Sequence, residues 1–149
     1  MADLPPFMRV VTAQDIDVLS RCWGWLVPPM HRPLLLSLMG DWVCAAPTGE
    51  HFALSVLEGD YRRIAASSSE FNDSKSSFEW LDENFQAAWQ EIAHRHGLVP
   101  GPGECLAWRI PPVVGGPFEV QNLHVLSQTT YQVAMGQLHQ QLQTGEALP

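Results

Sequence analysis

Regular patterning begins at Thr12. Ile16, Leu19, Trp23 and Leu26 recur at three- and four-residue intervals, which predicts an amphipathic helix over residues 12–27. Thr12 is its N-cap and Asp15 brings negative charge to the first turn. Pro28-Pro29 ends it, because a residue before proline is driven out of the α region. Residues 33–39 are continuously apolar and fit either a short helix or a buried strand. Residues 42–45, 51–57 and 61–65 then read as short strands. The turns between them are Pro47-Thr48-Gly49 and Glu58-Gly59-Asp60, the punctuation of an antiparallel meander. Phe52, Leu54 and Val56 share one strand face, and such a face requires a covering layer of helices.

Residues 66–77 are rich in serine and read as a loop with one helical turn around Glu70-Phe71. From Phe78 the period is helical again: Leu81, Phe85, Trp89, Ile92 and Ala93 make one stripe, with Gly97 as the C-terminal cap. Pro100-Gly101-Pro102-Gly103 is a turn into a strand over 105–110. Residues 111–117 hold three prolines and a glycine pair. They predict an extended surface crossing, since proline lacks the N–H donor and fixes φ. A short strand follows over 118–125. Ser127 then caps a last helix with the stripe Tyr131, Ala134, Met135, Leu138 and Leu142. The expectation is one α+β domain over residues 1–149. It has an antiparallel-dominated sheet of about five strands packed by three main helices, and frayed ends at 1–11 and 144–149.

Composition narrows the function. Hydrophobic residues make up 46% and charged residues 16% of the chain, which excludes a disordered polypeptide. No apolar run is long enough to span a bilayer, and the first residues lack a secretory pattern, so a soluble, cytoplasmic protein is expected. Eight Lys and Arg against sixteen Asp and Glu give a net charge of −8, and Lys75 is the sole lysine. No cationic cluster exists to neutralise phosphates, which argues against direct nucleic-acid binding. An acidic protein suits a basic partner.

Reactive chemistry is sparse. Cys22, Cys44 and Cys105 show no Cys-x-x-Cys spacing and read as buried free thiols. His94 and His96 lie two apart on a helix and point to different sides, while His51, His124 and His139 stand alone. Gly101-Pro102-Gly103 lies between a helix and a strand, the reverse of the order a phosphate cradle needs. There is no Gly-x-Ser-x-Gly elbow, and Asp82-Glu83 point different ways on a helix. No catalytic residue, metal or cofactor is expected.

What remains is charge. Glu58, Asp60, Glu70, Asp73, Glu79, Asp82 and Glu83 face only Arg62, Arg63 and Lys75, so this stretch carries −4, half the net charge. Two readings stand: solvated acids that favour a helix N-terminus, or a patch that docks a basic protein, with Trp80 or Trp25 as apolar anchor.

The order of motifs resembles a known family. Gly40-Asp41-Trp42 precedes a hairpin, and Ile64-Ala65-x-Ser67 precedes Glu70-Phe71. Gly101-Pro102-Gly103-Glu104-Cys105 follows, then Pro111-Pro112-x-x-Gly115-Gly116-x-Phe118-Glu119-x-x-Asn122, and last Gly136-Gln137-Leu138-His139-x-Gln141. In this order, over residues 19–148, the chain is similar to bacterial type VI secretion immunity proteins. Their C-terminal domain was long of unknown function, is often preceded by a GAD-like module, and is paired with DNase effectors. The resemblance implies a non-catalytic domain that binds a cognate toxin, a basic nuclease, in the cytoplasm and occludes its cleft. Glu58, Asp60, Glu70, Asp73, Glu79, Trp80, Asp82 and Glu83 are then the candidate toxin-binding residues. It also implies that Gly115, Gly116, Asn122 and His139 hold the fold. The alternatives are a general protein-binding or scaffold module of the same fold, and a small hydrolytic enzyme.

Overall fold

A computed structural model of the chain describes residues 5–145. It contains strands β1 (Met8–Val10), β2 (Arg32–Ser37), β3 (Trp42–Ala45), β4 (His51–Ser55), β5 (Asp60–Ala65), β6 (Glu104–Trp108) and β7 (Leu123–Ser127). Its helices are α1 (Ala13–Trp23), α2 (Ser68–Ser74), α3 (Phe78–Phe85), α4 (Ala87–Arg95) and α5 (Gln128–Thr144). Strands β1 to β5 form one sheet in chain order with every pair antiparallel, and β6 pairs with β7 in a second sheet. This is the α+β architecture expected from the patterning.

The sheet is covered on both faces, so its central strand β3 is buried throughout. Side chains alternate along a strand. Leu36, Trp42, Cys44 and Leu54 therefore meet Leu19 and Trp23 of α1, Tyr131 and Met135 of α5, and Cys105 and Ala107 of β6. On the opposite face Leu35, Val43, Ala53 and Ala65 meet Phe71, Leu81 and Phe85 of α2 and α3. The ambiguous segment 33–39 becomes strand because both of its edges find partners, β1 and β3. The β6–β7 hairpin joins the main body where the Leu106 N–H donates to the Leu38 carbonyl at 2.7 Å. Leu106, Trp108 and Leu123 complete a third cluster with Met39 and Ala93 of α4.

Several local expectations are corrected. Residues 8–10 are not frayed: they pair with β2, bury Met8, and fix Arg9 against Asp15 at 2.6 Å. Residues 1–4 and 146–149 lie outside the described residues, and the 144–145 end of that tail closes α5, with Gly145 as its cap. Helix α1 ends at Trp23, short of Val27, and Ile16 is exposed while Asp15 and Val18 turn inward. The serine-rich segment is a two-turn helix, because the Ser67 hydroxyl caps it and Phe71 is buried. The single helix expected from Phe78 is two, broken at Gln86, whose φ of 56° is left-handed. The crossing over 111–117 contains a 3-10 turn at Pro112–Val114, and the following strand begins only at Leu123.

Candidate functional site

The candidate residues lie on the α2–α3 layer and on the β4–β5 hairpin beside it. Each helix starts at a serine. The Ser67 hydroxyl accepts from the Glu70 N–H at 3.1 Å, and the Ser77 hydroxyl from the Trp80 N–H at 3.3 Å. These caps explain why a serine-rich stretch folds here, since each takes an otherwise orphaned amide. Phe71 stacks on the His51 ring at 5.0 Å, and Trp80 meets Phe71 and Phe85 edge-on at 5.7 and 5.8 Å. Trp80 is thus half-buried and braces α2 against α3. Trp25 is also half-buried, stacked on Trp23 with its indole N–H on the Cys22 carbonyl at 3.0 Å.

The fold separates the seven acids by role. Arg62 pairs with Asp60 at 3.1 Å and with Glu58 at 3.9 Å, and donates to the Asn84 side chain at 3.3 Å. Asp82 accepts the Ala88 N–H at 2.8 Å, which caps α4 where the left-handed Gln86 leaves it open. Glu70, Asp73, Glu79 and Glu83 are exposed and form no ion pair among the described residues. Glu79 and Glu83 are one turn apart on α3, so their like charges share one face. Arg63 is taken by Glu50 at 3.1 Å. The free negative charge therefore concentrates on α2 and α3, and Glu58, Asp60 and Asp82 are engaged locally.

A buried polar system escaped the sequence reading. Asp41 is 1% exposed; it accepts the Val56 N–H at 3.0 Å and the Ser37 hydroxyl at 3.3 Å, and the Gln86 amide also bonds to it. Burial outweighs these bonds and pushes its carboxyl up to about 7. Gln86 Oε1 also accepts from the Trp108 indole at 3.2 Å, so the strained Gln86 backbone is held by side-chain bonds from two directions. Gln132, fully buried on α5, accepts from the indoles of Trp23 at 2.6 Å and Trp42 at 3.0 Å and donates to the Gly40 carbonyl at 2.8 Å. The signal was a polar residue inside a stripe of helical spacing, next to Tyr131.

The motif residues hold the fold. Asn122 clamps the crossing: its Oδ1 accepts the Ile110 N–H at 2.9 Å, and its Nδ2 donates to the carbonyls of Ile110 at 2.8 Å and Pro117 at 3.0 Å. A side chain on Gly116 would overlap the Ile110 carbonyl, so only glycine fits there. The clamped segment presents Ile110, Val113, Val114 and Phe118 to solvent. Burial raises the Cys44 thiol to about 11 and the Cys105 thiol to about 12, so neither is a thiolate nucleophile at neutral pH. Among the described residues no group of three or more His, Cys, Asp or Glu side chains is placed to hold a metal ion. None of the described helices is long and apolar enough to cross a membrane.

No protein-family model and no curated protein matches the chain. Its fold is similar to the crystal structure of Atu4351 from Agrobacterium tumefaciens, with a TM-score of 0.61 and 12% sequence identity. The match covers 88% of this chain but 66% of that one, so the chain spans just under two thirds of its neighbour's length. The likeness is one of fold.

Proposed function

We propose that this domain is a cytoplasmic immunity protein that binds a cognate type VI secretion toxin, a nuclease, and neutralises it by occluding the active cleft, without chemistry of its own. The observation that carries this reading is the exposed acidic layer of Glu70, Asp73, Glu79 and Glu83, whose charges have no internal partner among the described residues. A nuclease needs a basic cleft for phosphates, and an acidic surface is attracted to that cleft and keeps nucleic acid out. The motif resemblance supplies the class of partner. Trp80 serves as a brace behind the acids, given its packing on Phe71 and Phe85. The clamped apolar segment around Ile110, Val113, Val114 and Phe118 is the second surface a partner can use, and it favours the general binding-module alternative.

The test asks whether a nuclease-like toxin gene neighbours this one, co-expresses the chain with its product, and measures cell survival and the affinity of the purified pair. Protection with one-to-one binding supports the reading. Substrate turnover by the purified chain alone, or no protection against that nuclease, overturns it.

A further inference from the structure

The β6–β7 hairpin has one edge tied to the main body and one edge free. Bonds at its two ends fix the ladder: the Arg109 N–H donates to the Asn122 carbonyl at 2.7 Å, and the Gln128 N–H to the Gly103 carbonyl at 2.9 Å. The register between them is unbroken. Bonded pairs alternate along an antiparallel ladder, so the Ala107–His124 and Cys105–Leu126 pairs make the bonds within the hairpin. The residues between them point outward. On β6 that edge meets the sheet, where the Leu106 N–H donates to the Leu38 carbonyl. On β7 the outward groups are those of Leu123, Val125 and Ser127. The Val120 carbonyl takes the Leu123 N–H, and the Ser127 carbonyl belongs to the first turn of α5. The Leu123 carbonyl, both backbone groups of Val125 and the Ser127 N–H have no partner among the described residues.

Free strand edges are normally guarded by charge, proline or shortness. In the main sheet, the outer strand β5 carries Asp60, Arg62 and Arg63, and β1 is short and follows Pro5-Pro6. β7 reads Leu-His-Val-Leu-Ser and has no such guard. Burial and the nearby Arg109 guanidinium hold His124 below its ordinary 6.5, so the strand is uncharged at neutral pH. The neutrality extends beyond β7. Residues 120–145, which include all of β7 and α5, contain no Asp, Glu, Lys or Arg, so the whole net charge of −8 lies elsewhere. A basic partner gains nothing at such a face, whereas two like-charged copies of this chain meet there with least repulsion. The free groups also complement themselves. About a two-fold axis at Val125, the two Val125 residues exchange a pair of N–H···O bonds, and the Ser127 N–H meets the partner's Leu123 carbonyl. Every free group is then matched.

We propose that β7 is a homodimerisation edge, which pairs antiparallel with β7 of a second copy so that the two hairpins form one four-stranded sheet. The edge shares no residue with the acidic layer and does not depend on the immunity reading.

The test measures the mass of the full chain by sedimentation equilibrium between about 10 μM and 1 mM, where small interfaces associate, and amide hydrogen exchange by NMR over the same range. The mass is expected to rise toward twice that of one chain, with protection of the Val125 and Ser127 amides growing in step. Val125→Pro removes the outward N–H and no bond within the hairpin. It is therefore expected to keep the fold and to weaken dimerisation at least about tenfold. If that variant does not fold, exchange at the two amides of the parent protein decides. A monomer throughout the range overturns the proposal, as does a dimer whose Val125 and Ser127 amides exchange freely. A folded Val125→Pro that dimerises like the parent also overturns it. Protection that appears only when a nuclease is added to the monomeric chain gives the edge to that partner and overturns self-pairing.

Discussion

The imidazole of His139 occupies the space into which a side chain on Gly59 would project: a Cβ there would overlap the ring's Nδ1 and Cγ. On its other side the ring places Nε2 2.8 Å from the Val56 carbonyl, so Nε2 carries the proton and donates. One histidine from α5 thereby locks the end of the β4–β5 hairpin. It makes a bond across the structure, where the sequence allowed packing or a cap within its own helix.

Gly59 should not tolerate alanine. It holds a φ of +72° and has no room for Cβ, so Gly59→Ala is expected to cost about 3 kcal/mol or more. Adding His139→Ala should recover part of that loss, because the space is then free; urea unfolding of the single and double variants measures the coupling. Strictly additive losses would show that the two residues do not share this space.

Gln132 is the next test. Gln132→Leu preserves volume but leaves the Trp23 and Trp42 indoles and the Gly40 carbonyl unpaired inside the core. The expected cost is about 3 kcal/mol or more, at roughly 1–3 kcal/mol per orphaned group. Trp42→Phe removes one donor and leaves Trp23 as the other, so its cost should be smaller.

Asp41 gives a pH signature. Its carboxyl sits near 7 when folded against 3.8 as the ordinary value, so between those values the folded chain holds more proton than the unfolded one. Its contribution is full below pH 3.8 and is lost as pH rises through 7. Asp41→Asn removes that slope while keeping an acceptor for the Val56 N–H. The Tm of this variant relative to the parent should therefore rise from pH 5 to pH 8. His139 acts the other way: burial holds it below its ordinary 6.5, so it favours unfolding as pH falls through that range. It is present in both proteins and cancels in the comparison.

For the docking surface, Glu79→Lys with Glu83→Lys should weaken binding of the nuclease roughly 10–100-fold, mainly through a slower association that responds less to salt. Melting should change little, since neither acid forms an ion pair among the described residues. Asp82→Lys should instead lower the Tm, because Asp82 caps α4 through the Ala88 N–H. Unchanged affinity in the Glu79/Glu83 double variant would remove this layer from the interface and leave the segment around Phe118.

Gln86 tests the break between α3 and α4. A non-glycine residue at φ 56° is strained by about 1–2 kcal/mol, and its side chain offsets this through Trp108 and Asp41. Gln86→Ala keeps the strain and loses both bonds, so chemical denaturation should show a loss of about 2–4 kcal/mol.

The chain's local signals determined most of its elements and their order, but not β1, the full length of α2 or the break between α3 and α4. The Thr12 and Ser127 caps, the turns at 47–49 and 58–60, and the alternating apolar positions of the meander act within a few residues of each other and read directly. They also placed the negative charge on the segment that follows the sheet. Tertiary structure decided what those side chains do. Gln86 breaks a helix of unbroken apolar period because its partners, Asp41 and Trp108, come from the turn between β2 and β3 and from β6. Asp82 differs from Glu79 and Glu83 only because that break leaves an amide for it to cap. Gln132 and His139 sit in an apolar stripe because distant indoles and a distant carbonyl satisfy them. Pattern reads solvent preference along a chain, whereas a buried polar group is stable only where folding brings its partner.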